Sequence, residues 1–169
     1  MKKVMDKNNT LGYIEGYYGK LLSWSSRKHI VKSLRKNKMN SYFYAPKEDV
    51  KHRFNWRKKY SINWRKNFRD FTHFSKNNNV NVIAGIAPGL DFDFKSFNNH
   101  IEKNQSHDFT LLYQKAKQLL DDGATSIALL LDDIPENYIN KFGNKISEGS
   151  SHGLLANKLS KKLGQCIYF

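Results

Sequence analysis

Two aspartates, Asp132 and Asp133, stand side by side at the end of the apolar run 127–131. Paired carboxylates are the usual equipment for cleaving a glycosidic bond, and they can also hold a divalent cation. Adjacent like charges repel, so two such groups separate their pKa values wherever their surroundings differ. One can then stay ionised while the other is held protonated as an acid. Neighbouring side chains on an extended chain point to opposite faces, which is one way to give the two aspartates different surroundings. The plain alternative is a solvated loop following a strand.

Three further clusters have the same character. They are Gly-Tyr-Tyr-Gly at 16–19, Pro-Lys-Glu-Asp at 46–49 and Pro-Gly-Leu-Asp-Phe-Asp at 88–93. Each follows a short strand-like segment, as the aspartate pair does. In parallel α/β folds the C-terminal edge of the sheet carries the active site, so four clusters at equivalent places point to one convergent site. The residue types suit a carbohydrate. Tyr17 and Tyr18 can wall a sugar pocket, and Lys47 can donate to hydroxyls or to a carbonyl. The competing structural readings are a tight turn at Gly16 and Gly19, core packing for the two tyrosines and a surface position for Lys47. The chain has no glycine-rich phosphate loop, no dinucleotide fingerprint and no H-E-x-x-H pattern among its histidines. No cofactor and no catalytic metal are expected.

The elements that position these clusters alternate. Strands are predicted at 12–16, 40–46, 80–88 and 126–133, and a fifth begins at 165–169. Between them the spacing predicts helices. The first has Ser25 or Ser26 as N-cap and Ile30, Val31 and Leu34 on its apolar face. The second, over 61–77, carries Trp64, Phe68 and Phe71 at helical spacing. The third, over 108–123, has Gly123 where a C-terminal cap belongs. The fourth, over 150–164, has Leu155, Leu159 and Leu163 in phase. This alternation means parallel strands with crossover helices, either in a doubly wound sheet or in part of a (β/α)8 barrel. The fourth strand is apolar throughout, so both its faces should be covered.

The 169 residues suit one domain, and 39% hydrophobic and 14% aromatic content is enough to build a core. Residues 1–9 read as a polar tail rather than a secretory signal. A lone cysteine, Cys166, rules out an internal disulfide and a cysteine-based zinc cage, and a cytoplasmic setting follows. A formal charge of +14 raises nucleic acid as a partner. The excess is mostly lysine, however, and asparagine is abundant too, a bias that A/T-rich codons produce. In the densest basic stretch, 51–70, the aromatics read as a core stripe and the basic residues as its solvated face. Nucleic acid is therefore not the expected partner, and no membrane is expected either.

The segments GYIEGYYG, MNSYFYAPKEDVKHRFNWRKKY, IAPGLDF and IALLLDDI together resemble glycoside hydrolase family 84, from about Leu11 to the last residue. This family contains the O-GlcNAcases and bacterial β-N-acetylglucosaminidases once named hyaluronidases. The resemblance implies residues 10–169 as the N-terminal portion of a (β/α)8-like catalytic barrel, about four βα units and a fifth strand, truncated relative to a complete barrel. It also implies removal of terminal β-linked N-acetylglucosamine from glycoconjugates with retention. In that reaction the substrate's own acetamido carbonyl acts as nucleophile and forms an oxazoline.

Carried over by motif, Asp132 holds and polarises the acetamido N–H. Asp133 protonates the leaving oxygen and then activates water. Gly16 and Lys47 contact sugar hydroxyls, and Tyr17 and Tyr18 shape the pocket. His52, Arg53, Trp56 and Arg57 belong to the same pattern and are expected to brace a loop beneath the site, with Asp91 orienting another. A fragment of a longer product, a second chain or second copy that completes the barrel and a degenerate remnant that folds poorly are the readings that the length leaves open, and a non-catalytic carbohydrate-binding remnant is the alternative function. A nucleic-acid-binding protein is the remaining alternative.

Overall fold

The computed structural model describes residues 10–99, 106–132 and 146–169. Its sheet has four parallel strands in the order β1-β2-β3-β4: β1 Gly12–Glu15, β2 Ser41–Tyr44, β3 Asn81–Ile86 and β4 Ser126–Leu129. Sequential order throughout, with no reversal, excludes the doubly wound alternative, whose order turns back at a switch point. It is the order of a barrel wall. The fifth strand is represented by one parallel bridge, Tyr168 to Ala128, with Tyr168 N–H donating to the Ile127 carbonyl and Leu129 N–H to that of Tyr168.

Helix α1 (Trp24–Lys36) links β1 to β2, and α2 (Ile62–Asn77) links β2 to β3. A short α3 (Phe94–Asn99) and α4 (His107–Asp121) precede β4, and α5 (Glu148–Leu163) follows it. The cap of α1 is Ser23, whose Oγ accepts from Ser26 N–H, and not Ser25 or Ser26. The helix therefore starts early enough to carry Trp24 in its first turn. α3 was not foreseen, because six residues are too few to show a helical period. Gly123 does follow the α4 cap, at φ 95°, a conformation that favours glycine.

The strand registers explain where the core lies. Tyr13, Tyr42 and Val82 form one row, and Glu15, Tyr44, Ala84 and Ile127 the next row on that face. These rows face the helices, and Tyr42, Tyr44, Val82, Ala84 and Ile127 join Phe68 and Phe71 of α2 and Leu112, Ala116 and Leu119 of α4 in a continuous core. Trp24 packs against Tyr44, Trp64, Phe68 and Phe71, so an aromatic layer fills the space between α1, α2 and β2.

The opposite face carries Ile14, Phe43 and Ile83 in one row. There a hollow of about 360 Å³ opens outward between Leu11, Ile14, Phe43, Ile83 and Tyr168, and Ile14 is 63% exposed. β4 itself is covered as expected, with Ile127, Ala128 and Leu129 all buried. Among the described residues no helix is long and apolar enough to cross a membrane.

Candidate active site at the strand ends

Every cluster picked out in the sequence follows the C-terminal end of a strand, since β1 to β4 are parallel and end at Glu15, Tyr44, Ile86 and Leu129. The loop after β2 delivers Lys47, and the chain after β4 delivers Asp132. Their side chains meet: Lys47 Nζ lies 2.7 Å from Asp132 Oδ2. Lys47 is largely covered, while Asp132 leaves 54% of its side chain open to solvent. Burial acts to raise the Asp132 pKa, but the hydrogen bond and charge of Lys47, helped by Arg53, outweigh it and hold the carboxyl below its ordinary value. Asp132 is thus an ionised acceptor at neutral pH.

The alternation argument for the aspartates does not reach Asp132. The ladder ends at Leu129, and Leu130 N–H makes one more bond to the Ile86 carbonyl before the chain leaves the sheet. Asp133 lies outside the described residues. Of the remaining candidates, Tyr17 and Tyr18 are exposed rather than in the core, so the packing alternative fails for them. Tyr13 donates its hydroxyl hydrogen to Tyr17 Oη, and Arg53 Nη1 reaches Tyr18 Oη at 3.4 Å. Gly16 directly follows β1 with a φ open to any residue, whereas Gly19 has φ 119° and does require glycine.

The loop that carries Lys47 is braced from several sides. Asp49, buried, accepts from the hydroxyls of Tyr44 and Tyr60 at 2.6 and 2.9 Å. Trp56 is fully buried and donates its indole N–H to Asp91 at 2.7 Å. Arg57 binds Asp91 and, through two bonds, the buried Asp108. That ties the β2 loop to the β3 loop and to the start of α4, the expected brace with Asp91 in it. The basic face of α2 is not merely solvated: Arg65 and Arg69 both reach Asp122, whose side chain is 1% exposed.

Sequence reasoning missed the pair behind β1. Glu15, the last residue of the strand, is buried against Arg27 of α1, which donates from Nε and Nη2 at 2.9 and 2.8 Å. Tyr42 adds a hydroxyl donor at 2.6 Å. The signal available was Glu in an otherwise apolar strand and Arg on the apolar side of a helix, twelve residues on. Among the described residues no group of histidine, cysteine, aspartate and glutamate could hold a metal ion.

A parallel α/β wall that gathers polar side chains at its C-terminal edge has the layout of a barrel-enzyme site. The sequence profile of the beta-N-acetylglucosaminidase family matches residues 11–166. This chain belongs to that family, glycoside hydrolase family 84. It is 33% identical to the Protein O-GlcNAcase of Rattus norvegicus, and equally to that of Mus musculus, over 126 residues. That alignment takes in 75% of this chain and 13% of either relative, so the chain spans about an eighth of their length. The structure of CpGH84B superimposes with a TM-score of 0.75 at 30% identity, over 90% of this chain and 24% of the other. A mutant O-GlcNAc hydrolase of Thermobaculum terrenum gives 0.79 at 26% identity, over 90% and 32%. The fold is therefore the N-terminal part of a (β/α)8-type barrel.

Proposed function

We propose that this chain supplies the acetamido-binding and acid/base half of a retaining β-N-acetylglucosaminidase acting on terminal N-acetylglucosamine of glycoconjugates. The observation that carries the reading is the 2.7 Å contact between Lys47 Nζ and Asp132 Oδ2, which joins two family motifs 85 residues apart at one sheet edge. An ionised Asp132 is the partner that an acetamido N–H requires. Accepting that hydrogen bond pushes electron density toward the acetamido carbonyl oxygen, which attacks the anomeric carbon as the glycosidic bond breaks. Asp133 gives its proton to the departing oxygen and then takes one from the water that opens the oxazoline. Lys47 and the Gly16 backbone hold hydroxyl groups, and Tyr17 and Tyr18 form the wall. The reaction needs no cofactor.

Residues 10–169 form one unit in this reading; residues 1–9, expected from the sequence to be a polar tail, lie outside the described residues. The open, apolar face around Ile14 and Phe43 supports completion of the barrel by further strands, from continuing chain or from a second one. The cytoplasm is the proposed location.

The test is release of a fluorescent phenol from its β-N-acetylglucosaminide, with Asp133→Asn alongside and the anomer of the first product read by NMR. Turnover that is retained in Asp133→Asn, or a first product of inverted configuration, refutes the mechanism. Binding of N-acetylglucosamine with no turnover in either protein favours the carbohydrate-binding remnant instead.

A further inference from the structure

His52 is completely buried, yet it lies in the same loop as Lys47, five residues on. Its contacts with β3 are unusually complete. The ring Nδ1 sits 2.9 Å from the Gly85 carbonyl oxygen, and the His52 carbonyl accepts from Ala87 N–H at 2.9 Å. A carbonyl can only accept, so Nδ1 must carry the proton. The ring packs so closely on the strand that a Cβ at position 85 would lie 3.1 Å from His52 Cε1 and 3.0 Å from Ala45 Cβ. Glycine at 85 is what admits it. The other nitrogen, Nε2, is buried and has no hydrogen-bond partner among the described residues.

Burial first, and Lys47 with it, disfavour the charged ring, against the Gly85 bond and the charges of Asp49 and Asp132. The ring therefore stays neutral at neutral pH and adds no positive charge beneath Lys47.

We propose that His52 is a positioning residue for the Lys47–Asp132 pair. As a neutral tether fixed through Nδ1–H to the Gly85 carbonyl, it holds the Lys47 loop against β3, so that the ammonium meets the carboxylate at the end of β4. Its relevance to catalysis rests on the sugar reading of that pair, but the tether itself is tested without sugar or turnover.

The first measurement uses the unaltered chain labelled with ¹⁵N-histidine. Nitrogen shifts should show His52 protonated at Nδ1 and bare at Nε2; a proton on Nε2 instead overturns the proposal, and this arm needs no variant to fold. The second reads the Asp132 carboxyl by ¹³C NMR titration. His52→Ala frees the loop, and the Asp132 pKa rises toward the ordinary value of about 3.9. His52→Asn retains an N–H at the Nδ1 position and keeps the pKa depressed. An Asp132 pKa unchanged in a folded His52→Ala, or an Asn variant that behaves like Ala, also overturns it. Rescue by asparagine separates the tether from simple loss of packing, since asparagine is the smaller side chain.

Discussion

The Glu15–Arg27 pair offers the sharpest test of how the site is held. Both side chains are nearly inaccessible, at 1% and 4%, and Glu15 immediately precedes the Gly16-Tyr17-Tyr18 loop. Replacing Glu15 alone by Leu leaves the Arg27 guanidinium buried beside the rings of Trp24 and Tyr44, with no carboxylate to answer it, and leaves the Tyr42 hydroxyl without its acceptor. Breaking a buried pair in this way costs about 3–5 kcal/mol. With a urea m-value of about 2 kcal/mol/M, the midpoint falls by roughly 1.5–2.5 M.

The companion variant Glu15→Leu/Arg27→Met/Tyr42→Phe removes every member of the cluster together. It should unfold within about 2 kcal/mol of the parent, because the large loss comes from stranding a charge and not from absence of the pair. Urea titration followed by tryptophan fluorescence suits the measurement, since Trp24 lies against Arg27. A single variant that costs less than about 1 kcal/mol, or a triple variant that costs as much as the single, would refute the reasoning.

Two further outcomes test other parts of the fold. Burial brings the Lys115 ammonium down to about 7, although it donates to the Lys58 carbonyl at 2.6 Å and lies 3.8 Å from the Tyr60 ring centre. In the unfolded chain a lysine titrates near 10.4, so between these values the unfolded state holds the extra proton and stability rises with pH. The cost of the buried charge is present in full below about pH 7 and relieved toward pH 10. Denaturation series across that window should show a gain on the order of 2–4 kcal/mol that Lys115→Met abolishes; a flat profile in the parent contradicts it. At Gly123 any Cβ would strike the Thr72 hydroxyl, and φ is 95°. Gly123→Ala should lower stability by about 1–3 kcal/mol, seen as a lower thermal midpoint; no loss would show that the turn can rearrange freely.

The sequence by itself determined the alternation of strands with the long helices, the parallel sheet and the edge where the four polar clusters gather. These follow from local patterns: period 3.6 in 62–77, Gly123 just past the end of α4, and turn residues after each apolar run. Lys47 and Asp132 could be picked out of the sequence through the segments MNSYFYAPKEDVKHRFNWRKKY and IALLLDDI, while their 2.7 Å contact came only from the fold. What the sequence did not contain was who meets whom across the fold. The register alone places Glu15 on the helix side, where Arg27 can reach it, and Ile14 on the open face. Side chains alternate along a strand, so a shift of one residue would exchange the two. Asp122 became a buried anion only because Arg65 and Arg69 arrive from α2. The pattern of elements by itself left a doubly wound sheet and a barrel wall open; the motif resemblance implied the barrel, and the strand pairing bears it out. Both architectures spell strand-helix-strand along the chain, and they part only in which strand pairs with which.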